Sequence, residues 1–189
     1  RIEIWAPDRL AEETAKVVED PWSKKPICLL PAAYPDVAMV HVPRCDKFGN
    51  AQIDGMVVED FELARAARRL ILTTEEIVGD DVLRDRPDRT QIPYFVVDAV
   101  VEAPHGSHPC LMPYLYYFDE EHIAQWLEAS ASEDGVRAYF DEYVFGVSGF
   151  AEYLEKVGGA AQLEKLARIE RYEEPVTVPW AAAKAGGKR

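Results

Sequence analysis

Two short polar segments of this 189-residue chain hold residue types that could do chemistry. The first is Arg44-Cys45-Asp46-Lys47-Phe48-Gly49-Asn50-Ala51-Gln52-Ile53-Asp54-Gly55, which leaves the end of an apolar run. Gly49-Asn50 permits the positive φ of a tight turn. Asp46, Gly49, Asn50 and Gln52 together offer backbone N–H groups and amide side chains able to fix a carboxylate or a thioester carbonyl. The same residues also read as a hairpin or βα turn whose polar groups satisfy only their own backbone. The second segment is Glu102-Ala-Pro-His105-Gly106-Ser-His108-Pro109, where two of the four histidines bracket a Gly and a Ser. His105, Gly106 and His108 read as a pocket-lining loop, or as a Pro-bracketed turn with hydrogen-bonded imidazoles. No third ligand stands at a convincing zinc spacing, so no metal site is expected. No G-x-S-x-G pattern supports a Ser–His nucleophilic pair.

Other polar positions are weaker candidates. In Thr73-Thr74-Glu75-Glu76 the adjacent carboxylates point in different directions, so they are no ready acid/base pair. One could cap the next helix and one could be buried with a perturbed pKa. His41, inside an apolar run, reads as a satisfied core histidine. Tyr114, Tyr116, Tyr117 and Phe118 read as packing or interface surface. The chain has no G-x-G-x-x-G, no P-loop and no H-E-x-x-H, which leaves dinucleotide binding, P-loop hydrolysis and zinc proteolysis without support.

The elements that must position these segments follow from pattern and punctuation. Hydrophobic residues make up 48 % and charged residues 29 %, an ordinary globular balance with room for one domain and a tail. The formal charge of −13 repels phosphate backbones and anionic lipid, so neither nucleic acid nor membrane is an expected partner, although a local basic pocket for one small anion remains allowed. No apolar run approaches the roughly 18–20 residues a bilayer requires. Three separated cysteines, Cys28, Cys45 and Cys110, read as reduced cytosolic thiols, and a cytoplasmic location is expected. Residues 27–30, 37–42, 70–73 and 94–101 read as buried strands, the last as the strongest. Residues 58–69 read as an amphipathic helix between strands, which makes a βαβ-type unit and an α/β domain. Residues 46–55 then form a long loop at a strand end, where α/β folds place their chemistry. After Pro113 the period turns helical. Asp119 caps a helix to about residue 131, a second covers residues 136–144, a third around Phe150 stops at Gly158-Gly159, and a fourth spans about 161–171. Residues 1–5 read as a strand and 8–18 as a helix. The last residues, from Trp180, read as a loose tail.

Four ordered blocks carry a family resemblance. They are Pro31-Ala-Ala-Tyr-Pro-Asp-Val-Ala-Met-Val-His-Val42, Cys45-Asp-Lys-Phe-Gly-Asn-Ala-Gln-Ile-Asp-Gly55, Ala66-Ala-Arg-Arg-Leu-Ile-Leu-Thr-Thr-Glu-Glu-Ile-Val78 and Val97-Asp-Ala-Val-Val-Glu-Ala-Pro-His-Gly-Ser-His-Pro109. In this order the chain resembles the A (α) subunit of family I CoA-transferases, of the glutaconate CoA-transferase type. The likeness extends through Tyr117-Phe-Asp and Glu152-Tyr-Leu to about Gly159.

The resemblance implies a CoA-transferase-like, Rossmann-related α/β sheet with flanking helices and a helical C-terminal part. Residues 1–159 would be the C-terminal portion of the α-subunit domain, and residues 160–189 a final helix and tail. It implies a B (β) subunit partner in a hetero-oligomer, with acyl-CoA and a carboxylic acid as substrates and coenzyme A as substrate rather than cofactor. In such enzymes a glutamate on the β partner attacks the thioester and later carries CoA. No catalytic residue is therefore assigned to this chain, and the Thr-Thr-Glu-Glu-Ile context of Glu75 and Glu76 lacks the Ser-Glu-Asn-Gly pattern of the catalytic half. Asp46, Gly49, Asn50, Gln52, His105, Gly106 and His108 would wall the substrate cleft. Arg44, Lys47, Arg84, Arg86 and Arg89 are available for anionic CoA, although residues 84–89 read equally as a solvated loop. The alternatives are a related hydrolase or decarboxylase of acyl-CoA substrates, and a structural chain with no catalytic part. Nothing in residues 1–26 matches the Gly-Gly-Phe-type loop of the family's α subunits, so an N-terminal part is expected to be missing, with sheet edge and apolar surface left exposed.

Overall fold

Alternating aliphatic residues build the centre of the fold. In a computed structural model, which describes residues 15–176, β1 (Lys16–Glu19) and β2 (Pro26–Leu29) pair antiparallel as a separate hairpin. The main sheet comprises β3 (Ala38–Cys45), β4 (Ala51–Gln52), β5 (Leu70–Ile77), β6 (Thr90–Ile92) and β7 (Ala99–Glu102) in the order β6-β4-β3-β5-β7. β3, β5 and β7 run parallel, whereas β4 and β6 add antiparallel on the far side. Helix α1 (Asp60–Ala66) lies on the connection from β4 to β5, and α2 (Asp80–Asp85) follows β5.

Strand side chains alternate between faces. Val40, Val42, Leu70 and Leu72 point into one core with Ala51, Ile92 and Ala64. Ala64 and Ala67 are the small residues that let α1 approach the sheet closely. The opposite face carries Met39, His41, Ile71, Thr73 and Glu75. Met39 there is 68 % exposed, and Phe95 beside the sheet is 73 % exposed. The start of β5 is pinned twice by Asp98. Its carboxylate accepts the Leu70 N–H at 2.8 Å, and its own N–H reaches the Leu70 carbonyl at 2.9 Å.

Four helices follow: α3 (Glu120–Ala129), α4 (Glu133–Tyr143), α5 (Phe150–Lys156) and α6 (Gly159–Glu170). Asp119 ties them together. As the N-cap of α3 it accepts the His122 N–H at 3.0 Å, which satisfies one of the free donors of the first turn. Its Oδ2 also accepts from Gln162 of α6 at 3.0 Å and lies 3.2 Å from His108 Nε2. His108 Nδ1 in turn meets the Tyr153 hydroxyl of α5 at 2.7 Å. Ser132 caps α4 through the Gly135 N–H. Trp126 packs edge-on against Tyr139 and stacks on Phe140, joining α3 to α4.

Several expectations change. Residues 16–18 belong to a strand, not to the end of a helix; residues 1–14 and 177–189 lie outside the described residues. The 27–30 run is a strand as far as Leu29, but an exposed one, because among the described residues its only sheet partner is β1. Residues 94–101 are not one strand. Tyr94–Val96 form a 3-10 turn after Pro93, and β7 starts only at Ala99, as a half-exposed edge strand. Residues 46–50 follow the hairpin reading rather than the long βα loop: they are the tight turn between β3 and β4. The strand at 70–73 runs on to Ile77 by pairing with β3, whereas β7 pairs with it only as far as Thr74.

Burial opposes charge on Asp119. Hydrogen bonds to His108, the His122 N–H and Gln162 more than offset it and hold its pKa near about 2, below the ordinary 3.8. Because the folded value is depressed, this stabilisation is complete above the ordinary carboxylate range and is lost as pH falls from about 4 towards 2, a contribution of about 2 kcal/mol. Asp119→Ala removes the cap and leaves His108 and Gln162 without their acceptor, and should cost about 2–4 kcal/mol at pH 7. Urea melts of both proteins at pH 7 and pH 3 check this. A deficit that fails to shrink at the lower pH contradicts the assignment.

Candidate functional site

The carboxyl ends of β3, β5 and β7 gather both polar segments at one edge of the sheet, where open α/β folds bind ligands. On one side of that edge, Glu75 of β5 is the centre of a buried network. Its side chain is 8 % exposed. Oε1 accepts from His41 Nε2 at 2.7 Å and from the Tyr116 hydroxyl, and Oε2 accepts the His105 backbone N–H at 2.5 Å. His41 Nδ1 lies 2.8 Å from Thr73 Oγ1. An ionised carboxylate only accepts, so the facing His41 Nε2 carries a proton. Burial raises the pKa of Glu75, but hydrogen bonds from His41, Tyr116 and the His105 N–H win and leave it below its ordinary value. Burial and the adjacent carboxylate push the Tyr116 phenol upward.

This network holds the second polar segment. His105 sits in the left-handed region at φ 64°, tied by its N–H to Glu75, with its ring 5.2 Å from that of Tyr116. His105 Nδ1 is buried and has no hydrogen-bond partner among the described residues. Gly106 lies against His41; a Cβ there would come within 2.7 Å of the imidazole Cε1 and 2.8 Å of the Ala103 carbonyl oxygen. The Ser107 N–H reaches the Tyr116 hydroxyl at 3.1 Å. His108 turns away, into the Asp119 network. His105 and His108 therefore belong to two different networks, one on the sheet and one among the helices.

The first segment forms the other side. Asp46 is buried and accepts the N–H groups of Phe48 and Asn50, each at 2.9 Å, and Asn50 Nδ2 at 2.7 Å. Asn50 Oδ1 accepts the Tyr94 N–H at 3.0 Å. Gly49 takes φ 96° and faces Val97 closely. Gln52 is buried, and its amide donates to the carbonyls of Leu83 and Arg86. The polar groups of this turn thus satisfy the protein itself. The turn is one wall of a cleft of about 390 Å³ completed by Phe48, Leu83, Arg84, Thr90 and Tyr94. Cys45 lies in the core, its thiol pushed upward by burial. Among the described residues no three His, Cys, Asp or Glu side chains converge as metal ligands.

Local pattern leaves Glu75 undecided between a helix cap and a buried carboxylate; it is the buried one, and Gly79 stands at the N-cap of α2. Tyr116 packs as its pattern suggests, buried with Met112 and Leu166, and its hydroxyl in addition donates to Glu75. A signal is present in strand parity: His41, Thr73 and Glu75 share one face once β3 and β5 pair His41 opposite Thr73.

Glu75→Gln keeps the shape but removes the charge that three donors converge on. It should cost about 2–4 kcal/mol at pH 7 and expose the His105 amide to hydrogen exchange at least about tenfold faster. Because the Glu75 pKa is depressed, its contribution is present above the ordinary carboxylate range, and the deficit should shrink below it. Unchanged protection of the His105 amide would refute the tie.

The coenzyme A transferase family model matches residues 23–103. A chain of Archaeoglobus fulgidus is 60 % identical over 173 residues, covering 92 % of this chain and 39 % of that one. The α subunit of glutaconate CoA-transferase from Acidaminococcus fermentans is 32 % identical over 80 % of this chain and 48 % of its own length. The crystal structure of that glutaconate CoA-transferase superposes with a TM-score of 0.73 over 81 % of this chain and 48 % of that one. A variant of the decarboxylase AibA/AibB superposes with a TM-score of 0.51 at 32 % identity, over 75 % of this chain and 50 % of that one. The chain spans about half the length of these two named relatives, and less of the archaeal one. The family match, the identity and the superposition together place this chain in the coenzyme A transferase family, with the α subunits of its family I.

Proposed function

We propose that this chain is part of the α subunit of a CoA-transferase that moves CoA between an acyl-CoA and a short mono- or dicarboxylic acid, together with a β-type partner. The observation that carries the reading is the commitment of Glu75 to three donors. It lies at the carboxyl end of the parallel strands, and donors occupy both its oxygens. A nucleophile must be free to aim a lone pair at the carbonyl carbon, and these donors hold the Glu75 carboxylate in place. Glu75 is a positioning residue, and the attacking glutamate belongs to the partner.

The chemistry then divides between the chains. A glutamate oxygen of the partner adds to the thioester carbonyl and the CoA thiolate leaves, giving an acyl anhydride. The thiolate attacks the glutamyl carbonyl, releases the first carboxylate and leaves a glutamyl-CoA thioester. The acceptor carboxylate reverses these two steps. This chain supplies a rigid wall. The Glu75 network fixes His105 and Gly106, and the Asp46 turn with Gly49, Asn50 and Gln52 shapes the cleft beside it. A wall set before substrate arrives holds reactants in place without ordering cost at the moment of reaction.

The test mixes the full-length protein with its β-type partner and follows CoA exchange between an acyl-CoA and a free carboxylate. Exchange that depends on the acceptor acid is the expected result. Acceptor-independent release of CoA, or loss of carbon dioxide from the acyl group, would show hydrolysis or decarboxylation in its place. Borohydride reduction during turnover should mark the partner. A mark on this chain would overturn the division of labour, whereas Glu75→Gln should slow exchange by about tenfold or more with the thioester still forming on the partner.

A further inference from the structure

A second feature lies on the other side of the hairpin. Arg44, near the end of β3, is paired with Asp54, and Arg89, just before β6, approaches the other oxygen of the same carboxylate at 3.6 Å. Two guanidinium groups against one buried carboxylate leave a net positive charge on a chain whose total is −13. Both arginines line an open groove of about 890 Å³ with Gln91, Met56 and Tyr114. Among the described residues that line it, Asp54 is the only carboxylate; Glu170 of α6 is close by and accepts the Tyr114 N–H at 2.8 Å.

The groove is built rather than incidental. Gln91 clamps the backbone of Ile53 from both ends of its amide, at 2.9 and 3.4 Å. The chain at Gly55 then lies against Pro113 and Tyr114. Tyr114 occupies the left-handed region at φ 67°, a strained position for an aromatic residue, with its side chain 70 % exposed. Strain of this kind persists where its surroundings enforce it and clusters at ligand sites. An exposed guanidinium with spare donors suits a phosphate better than a desolvated carboxylate, and a free tyrosine face suits a base.

We infer that the Arg44–Arg89 groove holds a phosphorylated adenine nucleotide, the end of CoA remote from its thiol, with Arg89 meeting a phosphate and Tyr114 offering its ring to the base. Asp54 orients both guanidinium groups and stops them from repelling each other in the empty site. The inference deepens the proposed function by naming a subsite, and its test separates the two.

Calorimetric titration of the full-length protein with its partner uses adenosine 3′,5′-bisphosphate as probe. Arg89→Gln should weaken the bisphosphate by about tenfold or more, the scale of one charge-assisted hydrogen bond, and should erase its advantage over adenosine. Tyr114→Ala should weaken adenosine and the bisphosphate alike. Arg68→Gln, a surface cation paired with Asp36, should change neither. If exchange proceeds but Arg89→Gln and Tyr114→Ala leave bisphosphate affinity within twofold, the subsite is rejected and the proposed function stands. If exchange fails while the bisphosphate binds with these losses, the subsite stands and the proposed function falls. No measurable bisphosphate binding, or displacement of the bisphosphate by a short dicarboxylate at equal concentration, also rejects the subsite.

Discussion

A carboxylate sunk at the end of a central parallel strand must find donors, and this requirement organises the functional edge of the protein. Burying Glu75 without partners would be prohibitive. The solution recruits the neighbouring strand through His41, the turn after β7 through the His105 N–H, and the helical half through Tyr116. Three elements distant in sequence are thereby held to one oxygen pair.

A second polar centre does the equivalent work among the helices. Asp119 caps α3, binds Gln162 of α6 and faces His108, which itself reaches α5 through Tyr153. His105 and His108 are three residues apart, yet each is committed to a different centre. The short loop between them couples the sheet to the helical part. The small apolar cluster of Met112, Tyr116 and Leu166 reinforces the joint.

Charge is distributed with equal economy. In the cleft beside the Asp46 turn, Asp46 and Asn50 bond within the protein, and Asp80 and Arg84 are the other charged lining residues. A second group of cationic donors lies around Asp54, where Arg44 and Arg89 meet. The cleft and the cationic groove thus lie on different sides of the β3–β4 hairpin.

The α/β class, the parallel pairing of β3 with β5 across α1, the Asp119 cap and the helical end were legible in local pattern, since each depends on residues close together in the chain. The resemblance blocks likewise pointed to the family that the known relatives support. What local pattern could not decide was which polar side chains would meet. Residues 94–101 look like a strand by composition, but Pro93 starts a 3-10 turn and Asp98 is drawn to the Leu70 N–H, so only the last part pairs. Arg89 reads as solvated from its neighbours, and only the pairing of β4 with β6 brings it to Asp54. Glu75 and Tyr116 are 41 residues apart. Periodicity reports which face a residue occupies, whereas a buried polar contact is chosen by tertiary packing, because the cost of leaving a donor or acceptor unpaired is settled only when the elements close on one another.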